Sequence, residues 1–184
     1  MKHLISIVIL LIAVGSVSAA RLQNEGFESG NFVSWQYDGE GWRVSSYGKD
    51  SLRGIYGAVN DVWTNGSSEY RVVHQAIKAS PGKMYRASVW LRAVCLEGSE
   101  AFLEVQFIDR SGSVLKQLQS PRVTRDQDFK LVVLDKMIAP EGAETVSIRG
   151  VAHLVTQPVK DTDYLVFDDF DFRQVTGGEP LPTK

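Results

Sequence analysis

The feature that most constrains this chain is alternation. In MYRASVWLRAV, residues 84–94, Tyr85, Ala87, Val89, Leu91 and Ala93 occupy every second position, with Met84, Arg86, Ser88, Trp90 and Arg92 between them. A period of two puts the two sets on opposite faces of a strand, the first toward a core. AFLEVQFID repeats the rule, with Ala101, Leu103, Val105 and Phe107 inward and Glu104 and Gln106 outward, and DRSGS supplies a turn into VLKQL. Further strands are readable at GWRVSSY, YGAVNDVW, EYRVVHQAI, FKLVVLDKMI, ETVSIRGVAHLV and YLVFDDFDF, with turns at SPGK and PEGA. No segment shows the apolar spacing of an amphipathic helix, and no internal repeat is visible. Many strands divided by turn residues predict an all-β, two-sheet jelly-roll sandwich rather than an open α/β sheet.

The ends set expectations of compartment. Lys2 and His3 precede an apolar run from Leu4 to Val14 and the small residues GSVSAA, which together read as a signal peptide over residues 1–20. The run falls short of the roughly 20 apolar residues of a spanning helix. We therefore expect a secreted or periplasmic protein with no membrane insertion after cleavage, a single β-sandwich domain over 21–175, and a flexible tail in TGGEPLPTK, 176–184. The formal charge is −2 and no Lys or Arg cluster stands out, which argues against nucleic acid as a partner. Cys95 is the only cysteine, so no internal disulfide can staple the domain and its stability must come from packing, with or without a metal. Cys95 reads as a buried thiol near a strand end, with an intermolecular disulfide as the alternative. Asn65 in NGS fits either a glycosylation sequon or a turn.

Several landmarks carry a resemblance. The opening NEGFESG, followed by Trp35 and Trp42, the strand entry ASPGKMYRASVWLRA, the strand FLEVQFIDRSG and the closing YLVFDDFDF resemble, in that order, the galactose-binding-like jelly-roll carbohydrate-binding modules that accompany cellulases and xylanases. The landmarks run from about Asn24 to Phe172. The resemblance implies a galactose-binding-like jelly roll, non-catalytic binding of a polysaccharide or glycan, and a structural calcium between the first and last strands. Its ligands would be Glu28 and Asp169, with Asp168 as the neighbouring candidate, completed by carbonyls from a loop such as YGKDS. The alternative is that Glu28 caps a turn and the Asp168–Asp169 pair solvates a strand end.

In such folds flat rings stack on the apolar faces of sugars while polar groups bond the hydroxyls. Alternation places Trp90 with Arg86 and Arg92 on a polar face, so these three, with Glu104, Gln106 and Arg149, form the expected glycan site. The competing reading packs Trp90 under a covering loop, with Arg86 and Arg92 bonding loop carbonyls. Trp35 and Tyr37 share a face if VSWQY is a strand, Trp42 and Trp63 lie near loops, and Tyr70 and His74 share a face of EYRVVHQ. A catalytic role is not expected: His74 and His153 are isolated in strands, no G-x-S-x-G elbow is present, and Cys95 lacks a nucleophile signature. The run Glu97, Glu100, Glu104 and Asp109 leaves a paired-carboxylate glycosidase as the third reading. The second is a structural or interaction sandwich whose partner is another envelope or secreted protein.

Overall fold

The computed structural model describes residues 21–63, 69–94, 98–155 and 163–180. The expected signal segment, Cys95, Asn65, Glu97 and the end of the tail lie outside the described residues. Among the described residues ten strands appear in chain order: β1 (Gln36–Asp38), β2 (Trp42–Ser45), β3 (Gly57–Asn60), β4 (Tyr70–Lys78), β5 (Met84–Val94), β6 (Ser99–Ile108), β7 (Val114–Gln119), β8 (Gln127–Ile138), β9 (Thr145–Leu154) and β10 (Tyr164–Gln174). They form two five-stranded sheets, β1-β4-β9-β6-β7 and β2-β3-β10-β5-β8. Every strand pairing is antiparallel. This is the jelly-roll sandwich that the alternation predicts.

The inward sets meet between the sheets. Val89, Leu91, Leu103, Val105, Phe107 and Ile148 are fully buried, and Tyr85 packs its ring against Phe107 and Phe172. Gly150 of β9 faces β10 so closely that a methyl group there would stand 2.8 Å from the Phe167 ring and 2.9 Å from Phe170. Glycine at this position lets the two sheets approach.

β10 shows how sequence spacing dictates geometry. Phe167, Phe170 and Phe172 are all core residues, yet a spacing of three between the first two breaks the period of two. A regular strand would expose one of these rings. The chain resolves the conflict with a bulge between Asp168 and Asp171, where Asp169 takes a left-handed φ of 47°. All three rings then point inward, and the Asp169 carboxylate is turned toward the chain's opening segment.

That segment is anchored by Phe27, fully buried against Phe32, Trp35 and Phe170. Trp35 belongs to the same cluster, with its ring 4.7 Å from Phe170 and its indole N–H shared by the carbonyls of Gln23 and Asn24. Trp42 packs on Phe167 from β2. The early tryptophans Trp35 and Trp42 therefore serve the core, whereas Trp63 is exposed.

Candidate functional site

The six expected glycan residues fall on two different surfaces. Trp90, Arg86 and Arg92 lie on the outer face of the second sheet, while Glu104, Gln106 and Arg149 lie on the outer face of the first. The sandwich stands between the two groups, so they cannot line one site.

The second sheet's outer face is largely roofed. Arg86, 1% exposed, is paired with Asp135 at 2.8 Å and donates to the carbonyls of Glu179 and Pro180. The hydrogen bond from Asp135 holds its guanidinium pKa above the ordinary value. The start of the expected tail, Thr176–Pro180, is thus folded back as a strap, fastened also by Val175 N–H to the Met84 carbonyl and by an Arg173–Glu179 ion pair. Toward the other end, the segment 46–56 crosses β3 and β10. Its Asp50, 2% exposed, accepts from Ser45 and lies 3.8 Å from Arg92. Arg92 also donates to the Tyr164 hydroxyl and lies over that ring. Trp90, half-buried, sits between Asp168 of β10 and Leu131 of β8.

The first sheet's outer face is organised in cross-strand rows. Tyr70, His153 and Glu100 form one row, Val72, Val151 and Phe102 the next, and His74, Arg149, Glu104 and Gln119 the third, followed by Ala76, Ser147, Gln106 and Gln117. Val72, Phe102 and Val151 make a small apolar patch of their own. Glu104 is only 5% exposed although it points outward, because four neighbours close over it. Gln106 donates to its Oε1, Gln117 and Gln119 donate to its Oε2, and Arg149 Nε stands 2.9 Å away. Each glutamine keeps a carbonyl oxygen and a second N–H for other partners. His74, beside Arg149, is held below the ordinary histidine pKa by burial and by that guanidinium, against the pull of Asp38 at 3.4 Å.

Sequence alternation finds Glu104 and Gln106 but misses Gln117 and Gln119. The pattern VLKQLQ does show Gln117 and Gln119 on one face. What the sequence lacks is the insertion of β9 between β4 and β6, which brings His74 and Arg149 to the same row.

The third constellation is acidic. Glu28 accepts the backbone N–H groups of Ile55 and Tyr56, and Asp168 accepts those of Leu52, Arg53 and Asp169. Glu28 lies against Gly54, where φ is +74° and a methyl group would collide with the carboxylate. The two acids therefore tie the 52–56 segment to both chain ends. Asp169 Oδ2 is buried without a hydrogen-bond partner, and Arg53 lies 3.7 Å from it. Both Asp168 and Asp169 flank Gly26 of the opening motif. Burial pushes the Asp168 carboxyl up to about 7, against its backbone hydrogen bonds. Burial raises Asp169 as well, with Arg53 opposing and Glu25 and Glu28 adding to the rise. Among the described residues no three His, Cys, Asp or Glu side chains converge closely enough to hold an ion by themselves.

With this geometry in place, comparison with solved structures defines the class of fold. TmCBM61 in complex with β-1,4-galactotriose superposes with a TM-score of 0.61 at 19% identity, over 86% of this chain and 100% of that one. The CBM22-1 xylan-binding domain from Paenibacillus barcinonensis Xyn10C gives a TM-score of 0.55 at 15% identity, over 84% of this chain and 94% of that one. The enzymatically active domain of bacteriophage CBA120 tailspike protein 4 gives 0.64 at 12% identity, over 84% of this chain but only 21% of the tailspike chain. The fold is that of the galactose-binding-like jelly-roll carbohydrate-binding modules. By sequence, no protein-family model and no curated protein matches the chain.

Proposed function

We propose that this protein is a secreted, non-catalytic polysaccharide-binding module whose glycan lies along the outer face of the first sheet. The observation that carries the reading is the fan of Gln106, Gln117, Gln119 and Arg149 around the buried Glu104. A buried carboxylate orients the donors, and the outer atoms of the amides are then fixed in position to meet sugar hydroxyls. The fold of the galactan- and xylan-binding modules supports the same reading. Of the six residues picked out by alternation, Glu104, Gln106 and Arg149 belong to this site. Arg86 belongs to the strap.

Of the carboxylates of the glycosidase reading, the three among the described residues, Glu100, Glu104 and Asp109, are otherwise engaged. Glu100 and Glu104 stand four residues apart on one strand, roughly 13 Å along it, beyond the usual separation of a catalytic pair. Each is committed to an arginine. Asp109 caps the β6–β7 turn through Ser111 and Ser113. An interaction sandwich is the second reading, favoured by the pairing of acids with bases across this face. A broad panel of polysaccharides tested against the mature chain separates the two. Binding that is weakened in Gln117→Ala/Gln119→Ala supports the glycan face, and silence across the panel supports the protein partner.

Calcium is the structural half of the proposal. The Asp169 oxygen that accepts no hydrogen bond, with only Arg53 near it, and the raised Asp168 fit a site that wants a cation, which Glu28, Asp169 and Asp168 would hold together with backbone carbonyls. The ion would neutralise the acidic cluster and staple the opening segment to β10, where no disulfide can. Melting with calcium and with chelator tests it: a higher midpoint with calcium, lost in Glu28→Ala, is expected, and identical midpoints remove the metal.

A further inference from the structure

The edge of β10 changes partner along its length. On the side away from β5 it pairs with β3 only through Leu165–Phe167. The bulge follows, and beyond it one backbone bond is made on that side, from the Phe170 N–H to the Glu25 carbonyl. The opening segment then departs toward the first sheet, where the Gln23 backbone N–H and carbonyl bond the Gln75 side chain. The Val175 N–H bonds the Met84 carbonyl, and this fixes the phase of the β10–β5 ladder. In antiparallel pairing, residues alternate between facing the partner strand and facing away. Asp171 and Arg173 therefore turn their backbone groups to β5, and Phe172 and Gln174 turn theirs away from it. Among the described residues, no hydrogen bond reaches the N–H or C=O of Phe172 and Gln174 on that side.

A groove of about 1290 Å³ opens on this edge, lined by five consecutive residues of the strand, Phe170 to Gln174. Side chains alternate between the faces of a sheet, so a surface touched by all five lies along the strand's edge and not on either face. Its apolar lining includes Leu22, Tyr85, Phe170 and Phe172, all nearly buried, with the Tyr85 and Phe172 rings stacked 4.9 Å apart. Its charged lining residues are four basic and four acidic, so it favours neither a polyanion nor a polycation. The volume exceeds the about 300–1,000 Å³ of a small-molecule site. Unpaired N–H and C=O groups alternating along an edge are the complement of another main chain. We propose that this groove is the docking site of a partner protein, which adds an extended, uncharged segment of about five residues to β10 as a further strand. The backbone groups of Phe172 and Gln174 hold its main chain. Cross-strand neighbours share a face, so the residue opposite Phe172 is apolar and turns to the core side, with polar residues before and after it. None of the amide-fan residues lines the groove, so this site stands independently of the glycan reading.

The probe is the capped peptide acetyl-TVTVT-amide, uncharged and apolar at every second position. Backbone amide exchange and chemical shifts of the isotope-labelled protein are followed by NMR, without the peptide and with it at millimolar concentration. In the free protein the Phe172 and Gln174 amides should exchange freely, while those of Asp171, Arg173 and Val175 are protected. The peptide should protect Phe172 and Gln174. Gln174→Pro removes a donor that the β5 ladder does not use, a position at which a strand accepts proline. It should leave the melting midpoint in place and weaken the peptide at least about tenfold, whereas Gln174→Ala keeps the N–H and should bind like the wild type. The wild-type exchange pattern decides independently of either variant. Phe172 and Gln174 amides already protected in the free protein overturn the proposal, because the edge is then occupied. Shifts confined to another strand edge overturn it too, as does peptide binding that survives Gln174→Pro. An open edge that takes no peptide at millimolar concentration removes the docking role. Protection given by xylohexaose and not by the peptide overturns the protein partner in favour of a sugar.

Discussion

Asp168 is the residue under most electrostatic tension. Its folded pKa is pushed up to about 7 from 3.8, so the folded state holds this proton more tightly than the unfolded chain does. The group's contribution is most favourable below pH 4 and is lost as the pH rises from about 4 through 7. In chelator, the loss between pH 4 and pH 8 should be of order 2–4 kcal/mol for this group. Asp168→Asn should flatten that slope, even though it also weakens the backbone bonds at all pH values. The proposed calcium would take the ionised form, so a stabilising effect of calcium should grow from pH 5 to pH 8. Calorimetry in chelator and in calcium reads both trends, and a wild-type slope equal to that of Asp168→Asn would refute the raised value. Trp90 is the other diagnostic residue. Half-buried between β10 and β8, it should cost about 1–3 kcal/mol on replacement by Ala and leave glycan binding unchanged.

Elements explain why some of this was legible in the sequence and some was not. Strand faces depend on parity alone, so the inward set of β5, from Tyr85 to Ala93, is readable from eleven consecutive residues and is buried as expected. The acids of the closing motif are likewise readable, although the bulge that aims Asp169 follows only from the odd spacing of Phe167 and Phe170. Sheet membership is a different matter. It depends on which distant strands pair, and nothing in β5 or β6 says that they sit in opposite sheets; Trp90 and Glu104 therefore look like neighbours in sequence logic and are not. The strap escapes detection because TGGEP has no apolar pattern, its hold coming from Arg86 and two carbonyls. Ending the chain after Val175 should leave those guanidinium bonds unmade and cost about 1–3 kcal/mol, measurable by denaturant melts; an unchanged midpoint would mean that the strap contributes nothing. Gly150→Ala should cost at least about 1–3 kcal/mol, because the new methyl group meets Phe167 and Phe170 across the sandwich.

At the scale of the molecule, the two outer faces are unequal. The second sheet is crossed by the 46–56 segment and the C-terminal strap, and its charges hold those covers down. On the first sheet Glu100, Glu104, Ser147 and His153 are nearly buried while Tyr70, Gln117 and Gln119 are exposed, with the amide fan at the middle and the Tyr70–His153 stack at one end. The acidic cluster joins the opening segment, the 52–56 loop and β10, so the ends of the domain are closed where the sequence offers no disulfide. The proposed function would put recognition on the first sheet and leave the second to stability. The most direct test is a single calorimetric titration series of the wild-type protein, Gln117→Ala/Gln119→Ala and Trp90→Ala with a polysaccharide retained by the wild type. We predict that binding falls at least about tenfold in the double glutamine variant and is unchanged in Trp90→Ala. Unchanged binding in the glutamine variant, with loss in Trp90→Ala, would contradict the assignment of the glycan to the first sheet.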